Sequence, residues 1–148
     1  MCTSFKGELL YATHNFSTTN PAHSANTIDT FKAALYLTTA TINASTTAYT
    51  ATGEVSGTNY TAGGVTVTNA TAPATSGTTA YWTPSASITY TNVTLSTAFD
   101  AVLIYNSTQS NKAVSVHTFG SQTITAGTFT LTMPTNNTTN ALIRLATT

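Results

Sequence analysis

Few residues of this chain carry groups that could do chemistry. The 148-residue sequence has three histidines, four carboxylates, four cations and one cysteine. A Ser-His-Asp triad is a spatial arrangement that sequence leaves open, but no Gly-x-Ser-x-Gly segment is present to expose a nucleophilic serine. His14 and His23 lie in or near a polar stretch with no carboxylate spaced for a metal, and His117 ends a predicted strand. We interpret all three as surface or strand-end histidines and predict no catalytic, cofactor-binding or metal-ligating residue.

Cys2 is the single cysteine, so an intrachain disulfide and a thiolate zinc site are both excluded. We interpret it as an incidental thiol on a loose terminus. The first residues lack a basic start followed by an apolar stretch, and we therefore expect no secretory signal. Asn-x-Ser/Thr triplets are expected by chance in a chain so rich in Ser and Thr, so we do not interpret their asparagines as glycosylation sites. They are Asn15, Asn43, Asn59, Asn69, Asn92, Asn106, Asn136 and Asn137.

A glycine-rich segment and a set of aromatic residues each have the composition of a ligand site, and each also fits a structural role. Residues 57–64 are glycine-rich, but they lack the Lys-Ser/Thr end of a phosphate-binding loop and precede a strand rather than a helix. We predict a loop whose glycines adopt positive φ. Five aromatic residues could form a sugar-binding platform, or could anchor a core or an interface instead. They are Tyr49, Tyr60, Tyr81, Trp82 and Tyr90.

The composition narrows the class of protein further. Charged residues make up 5% of the chain and the formal net charge is zero, whereas the sequence holds 38 Thr, 13 Ser and 12 Asn. Four scattered cations cannot neutralise a phosphate backbone, so we expect no nucleic-acid partner. No run of about 18 apolar residues is present, so we expect no membrane partner. An uncharged Thr-rich surface is cheap to desolvate and suits packing against copies of the chain or another protein.

The elements that would position these residues follow from apolar periodicity. Residues 5–12 show helical spacing with Ser4 as candidate N-cap, and residues 13–28 read as a polar loop. Residues 31–38 alternate as a half-buried strand, whereas residues 101–105 are apolar throughout and predict a strand covered on both faces. A change of phase near Asn92 predicts a β-bulge. Residues 124–133 predict a hairpin with a glycine at its tip.

These patterns predict an all-β fold. We expect an antiparallel β-sandwich or barrel of about seven to nine short strands with a short N-terminal helix. The expected division is an N-terminal helix and polar loop over residues 1–28, a candidate anchoring arm, followed by a β-sandwich domain over residues 29–148. A closing strand is expected at residues 141–145.

A resemblance to known proteins is carried by the segments FKGELL (5–10), DTFKAALY (29–36), TAYTATGEVSG (47–57), YTAGGV (60–65), LIYNS (103–107), KAVSV (112–116) and AGTFT (126–130). In these segments the sequence resembles a family of small Thr-rich virion structural proteins of tailed bacteriophages. Residues 17–27 are longer than is usual in that family, and residues 70–99 match it poorly.

The resemblance implies a structural role without catalytic residues. Our first hypothesis is a capsid decoration or cement protein, a homo-oligomer on the outer surface of the virion that bridges and stabilises subunits of the major capsid protein. Its partners would be the major capsid protein and copies of itself, and it would need no cofactor. The alternatives are a tail, neck or tail-fibre-associated component, a carbohydrate-binding module and an enzyme.

Overall fold

The computed structural model describes residues 1–17 and 27–147 of the chain. The predicted all-β sandwich-like fold is confirmed: two antiparallel sheets pack together beside one short N-terminal helix. Within the described residues the elements are α1 Thr3–Leu10, β1 Phe31–Leu37, β2 Val65–Thr66, β3 Ala74–Ser76, β4 Thr79–Trp82, β5 Ile88–Asn106, β6 Lys112–Leu131 and β7 Ile143–Ala146.

The larger sheet holds four strands in the order β2-β1-β5-β6, and the smaller sheet has the order β3-β4-β7. Strand β5 therefore lies inside the larger sheet, and its residues 101–106 are all buried, which confirms the prediction for 101–105. Strand β1 is also buried on both faces, so the half-buried interpretation of residues 31–38 is wrong. The second face of β1 is covered by the loop that follows the strand. The Tyr60 hydroxyl of this loop accepts a hydrogen bond from the Leu35 N–H, and the Tyr36 hydroxyl donates one to the Thr50 carbonyl.

Strands β5 and β6 form one long irregular hairpin of 19 and 20 residues, joined by a turn at residues 107–111. The predicted bulge near Asn92 is confirmed, since the pairing register shifts between Tyr90 and Val93 and Asn92 has φ 51°. The predicted hairpin at 124–133 is wrong. Gly127 lies within β6 and pairs with Val93, and Ala126 at φ 45° forms a further bulge there. A positive-φ residue marks a bulge as readily as a turn, which explains the error.

The smaller sheet contains a hairpin that the sequence reading missed. Strands β3 and β4 pair across a turn at Gly77, which has φ 56°. These strands are three and four residues long, too short to show a clear alternation. Strand β7 pairs with β4 and confirms the closing strand predicted at residues 141–145, although the strand begins two residues later than predicted.

The helix begins earlier than its sequence pattern predicts. Cys2 occupies the N-cap position without a side-chain hydrogen bond, and Ser4 lies inside the helix, so the assignment of Ser4 as the cap is wrong. The backbone N–H of Cys2 donates to the Val114 carbonyl of β6, which fixes the helix start against the larger sheet. Phe5 points into the core.

The described part of the N-terminal arm is built into the body of the protein. Phe16 stacks on Phe31 of β1 with 4.5 Å between ring centroids and contacts Trp82 of β4 at 4.8 Å. The arm thus contributes a ring to the packing between the two sheets. Asn15 and Asp29 exchange hydrogen bonds that join residues on either side of the predicted polar loop. Residues 18–26 of that loop lie outside the described residues.

Candidate functional site

The titratable groups nearest to a catalytic arrangement lie in one partly buried set, which also contains the amide of Asn106 and is here called the arm cluster: Glu8, His14, Asp29, Asn106 and Lys112. Glu8 accepts hydrogen bonds from His14 Nε2 at 2.7 Å and from Lys112 Nζ at 2.9 Å. Asn106 Nδ2 donates to Asp29 Oδ2 at 2.7 Å and faces His14 Nδ1 at 3.0 Å. The Asn106 oxygen accepts two backbone N–H groups of the β5–β6 turn. The cluster therefore joins helix, arm and hairpin.

The electrostatics of the arm cluster are those of a closed structural network. Burial alone would raise the pKa of Glu8, but hydrogen bonds from Lys112 and His14 outweigh it and lower that pKa. The His14 side chain is 0% exposed, so the surface interpretation of His14 is wrong. With Asn106 donating to Nδ1, the tautomer that carries its proton on Nε2 satisfies both ring nitrogens. No hydroxyl or thiol hydrogen-bonds to His14 in the described part of the chain, so the cluster lacks a nucleophile.

A second cluster surrounds Glu54, the carboxylate of the loop between β1 and β2. Tyr49 donates to one carboxylate oxygen at 2.6 Å, and Tyr60 and the Gly63 N–H donate to the other at 2.8 and 2.7 Å. The Tyr60 hydroxyl also accepts the Leu35 N–H of β1 at 3.0 Å. Glu54 thereby holds the loop on the sheet, and its oxygens are occupied by protein donors.

Burial raises the pKa of the tyrosines of this region above the ordinary value of about 10. It raises the pKa of Tyr36 to about 12. It raises the pKa of Tyr60 and Tyr90 further, and the neighbouring Glu54 charge adds to the effect. A neutral phenol is a hydrogen-bond donor rather than a base or nucleophile. The cluster is therefore suited to holding backbone in place rather than to proton transfer.

The five aromatic residues proposed as a sugar platform do not share an exposed face. Trp82 is 3% exposed and donates from Nε1 to Asn69 and Thr71. Tyr90 is 2% exposed, and its hydroxyl donates to the Ala33 carbonyl. Rings that stack on sugars must present a face to solvent, so the platform is not assembled from these residues.

His117 lies within β6 rather than at a strand end, which corrects the sequence interpretation. Its Nε2 lies 3.0 Å from the Ser115 hydroxyl, and burial lowers the pKa of the imidazole. Ser115 is completely buried, so its hydroxyl is not available to attack a substrate. His117 also borders a cavity of about 160 Å³ between the larger sheet and residues 131–142. The histidine has no carboxylate partner among the described residues, so the pair lacks the third group of a triad.

The glycine-rich segment is a structural loop, and the prediction that its glycines adopt positive φ is confirmed for Gly63 and Gly64 but not for Gly57. Gly63 and Gly64 have φ of 87° and 71°. A Cβ at Gly64 would overlap the Ala33 carbonyl oxygen of β1, and one at Gly57 would overlap the Thr94 carbonyl oxygen of β5. These glycines let the loop approach two strands closely.

The structure also places Cys2 and two asparagines of the Asn-x-Ser/Thr triplets. Cys2 is fully buried in the core, so it does not lie on a loose terminus, and burial raises the pKa of its thiol. Asn15 and Asn106 are buried, which excludes modification of those two triplets in the folded protein.

Within residues 1–17 and 27–147, no group of three His, Cys, Asp or Glu side chains could hold a metal ion. None of the helices there has the length and apolar character to cross a membrane. His23 lies outside the described residues.

Exposed apolar side chains concentrate near the helix. Leu10 and Tyr11, here called the helix-end pair, are 90% and 85% exposed, and Leu145 of β7 is 43% exposed. Between α1 and the smaller sheet runs an almost wholly apolar groove of about 80 Å³. Its lining includes Phe5, Leu9, Phe16, Tyr81, Trp82 and Leu145. Leu10 and Tyr11 lie off the Phe5, Leu9 and Ala12 spacing that marks the packed side of the helix, and this offset is the signal that could have identified the pair as exposed.

Comparisons with known proteins do not identify the chain. No protein-family model, no curated protein and no solved structure matches it. The resemblance to bacteriophage virion proteins therefore stays a prediction based on the segments that carry it.

Proposed function

We propose that this chain is a non-catalytic structural protein of a tailed-bacteriophage virion, a capsid decoration or cement protein that bridges subunits of the major capsid protein. The observation that carries the proposal is an outer surface built from uncharged polar residues on a β-sandwich. Along β6 the exposed side chains include Thr123, Thr125, Thr128 and Thr130, and no Asp, Glu, Lys or Arg occurs from Ala113 to Thr132. Threonine surfaces lose little hydration energy when they pack against protein, in contrast to charged ones.

The placement of the few charges supports the same proposal. Glu8 and Lys112 pair with each other, and Asp29 and Glu54 accept hydrogen bonds from several partners inside the protein. These charges organise the fold rather than a substrate site. A protein that acts by packing needs rigid loops and a weakly hydrated surface, and both clusters supply the rigidity.

The bacteriophage part of the proposal rests on the resemblance of the segments at 29–36, 47–57 and 103–107 to virion proteins. Those segments include β1, the loop around Glu54 and the start of the β5–β6 turn. They are therefore segments that build the sandwich. A tail or neck position uses the same kind of small β-domain and is distinguished by copy number.

The test is the copy number of the chain in purified particles, measured by quantitative mass spectrometry against the major capsid protein. Decoration of the shell predicts a count on the order of hundreds, close to the number of shell subunits. A count of roughly a dozen or fewer would contradict decoration and support a ring or fibre on the tail axis. Absence from washed particles that retain their capsid and tail proteins would overturn the virion proposal.

A further inference from the structure

Strand β6 forms one edge of the larger sheet, and its edge is unusually long. It pairs on one side with β5 only. Its first residues are covered on the other side, because the Ala113 N–H donates to Thr47 and the Val114 carbonyl accepts from Cys2. From Val116 to Leu131, no other described strand or loop makes a backbone hydrogen bond to the outer edge of β6. This free edge spans 16 residues, roughly 50 Å at the usual rise per residue.

The free edge lacks two of the protections that soluble proteins place on such strands, namely lysine and proline, and carries only bulges. Lysine and proline usually block edge-to-edge pairing, and neither occurs from Ala113 to Thr132. The other sheet edges are short: β2 has two residues and β3 three, whereas β7 has four residues and carries Arg144. Only bulges, one of them at Ala126, interrupt the free edge of β6. Among the described strands, β6 is therefore the one with a long edge that no lysine or proline blocks.

The faces next to this edge fit a further strand. On one face Phe99, Phe119 and Phe129 form a ring cluster with centroids 5.1 to 6.0 Å apart, and Phe119 and Phe129 are only half-buried. On the other face lie exposed threonines. A neighbouring strand would bury more of the two rings and place threonine beside threonine, a favourable cross-strand pair.

We propose that the free edge of β6 (residues 116–131) is an interaction surface for the same edge of a second copy of this chain, paired antiparallel about a two-fold axis. The free backbone N–H and C=O groups of one edge complement those of the other after a two-fold rotation. The uncharged edge meets its copy without like-charge repulsion, which a charged edge would suffer. The resulting dimer is a closed assembly, since each copy uses the one long edge found among its described strands. The proposal rests on the proposed function as an assembly protein and names its self-contact.

The test uses the purified full-length chain and sedimentation equilibrium. We expect the wild type to sediment with twice the 15.4 kDa chain mass. The double variant Thr128→Lys/Thr130→Lys places four cations at the seam of a dimer, and we expect its dimer dissociation constant to rise by at least about tenfold. The matched control is Thr75→Lys/Thr78→Lys, which adds the same charge to exposed positions of the β3–β4 hairpin. The control should remain a dimer.

A second measurement covers the case in which the lysine variant does not fold. Amide hydrogen exchange on the wild type should show protection of residues 116–131 that rises with protein concentration, while residues 74–82 stay unchanged. A monomeric wild type at millimolar concentration, or a dimer that the edge variant and the control affect equally, would overturn the proposal. Neither of these two results would alter the copy number of the chain in particles, so the virion function is tested separately. If the chain forms the edge dimer but is absent from particles, the virion function is contradicted and the edge contact is retained.

Discussion

The Glu8 carboxylate lies 2.9 Å from the Lys112 ammonium, although 104 residues separate them in the chain. Glu8 belongs to the N-terminal helix, and Lys112 is the first residue of β6. The same carboxylate accepts a hydrogen bond from His14 Nε2. The Glu8 side chain therefore connects the helix of the arm both to the segment that follows it and to the long hairpin. The N-terminal arm is therefore a structural part of the sandwich as well as the candidate anchoring segment, and removal of residues 1–28 would expose core residues such as Phe31. Substitutions on its surface are the better test of anchoring.

We predict that Glu8→Gln lowers the free energy of unfolding by about 1 to 3 kcal/mol at neutral pH, since it weakens two charge-assisted hydrogen bonds in a partly buried site. The pKa of Glu8 is lowered in the folded protein. Its stabilising effect is therefore complete above the unfolded-state value of about 4.3 and is lost as pH falls through the lower folded value. Urea unfolding at neutral and acid pH should show the difference shrink in acid.

The control for this prediction is Asp100→Asn, because the Asp100 carboxylate makes no hydrogen bond or ion pair with the described residues. It should change stability by less than about 0.5 kcal/mol at either pH. A loss for Glu8→Gln that stays constant from neutral to acid pH would contradict a role for the Glu8 charge.

We predict that Tyr60→Phe lowers the free energy of unfolding by about 1 to 3 kcal/mol, because it leaves the Leu35 N–H without its acceptor and removes one of the two donors to a Glu54 oxygen, where the Gly63 N–H remains. Tyr81→Phe is the matched control, since the Tyr81 hydroxyl makes no hydrogen bond with the described residues. Chemical denaturation of both variants measures the difference. Equal stability of the two would show that the Glu54 cluster contributes nothing to holding the loop.

We predict that the protein loses stability in alkali. Burial raises the pKa of Tyr36 to about 12 and also raises the pKa of Tyr49, Tyr60, Tyr90 and Tyr105. Groups with raised folded values stabilise the fold fully below the unfolded-state value of about 10, and this contribution is lost as pH rises through the folded values. Tyrosinate absorbance should therefore rise together with the loss of β-sheet circular dichroism. Complete ionisation of all tyrosines in a still-folded protein would disprove the prediction.

Two glycines should respond to alanine in opposite directions. At Gly64 a Cβ would overlap the Ala33 carbonyl and φ is 71°, so we expect Gly64→Ala to destabilise by about 3 kcal/mol or more. At Gly7 of α1 nothing lies within 4 Å of an added Cβ. Gly7→Ala should stabilise the helix by about 0.5 to 1 kcal/mol. Thermal unfolding of both variants checks this, and a tolerated Gly64→Ala would show that the loop does not need its close approach to β1.

The helix-end pair offers the test of anchoring. Because Leu10 and Tyr11 are 90% and 85% exposed, Leu10→Ser/Tyr11→Ser should leave the melting temperature within a few degrees of the wild type. If the arm anchors the protein on the capsid, the variant should bind chain-depleted particles at least about tenfold more weakly, a loss of about 1.4 kcal/mol. Lys6→Ser, another exposed change on the same helix, is the control. Unchanged binding of the double variant would remove the arm as the anchor.

The fold class followed from local patterns. Threonine and valine alternation, the short helical repeat and the apolar run at 101–105 are each encoded within a few residues, where β-branched residues and periodicity report directly on strand formation. The loop at 57–64 could be predicted for the same reason, because positive φ at Gly63 and Gly64 is a local property of glycine.

The clusters required the tertiary structure. The sequence by itself determined that the chain is an all-β protein with few charges and a short helix, through propensity and composition. Only folding decided that His14 is buried between Glu8 and Asn106, since the 92-residue separation of His14 from Asn106 leaves no spacing to recognise. The merging of residues 112–131 into one bulged edge strand was decided by pairing with β5, because a bulge and a hairpin turn use the same local backbone conformations. Burial and pairing depend on which distant segment arrives, and that information lies in the packing of the whole chain.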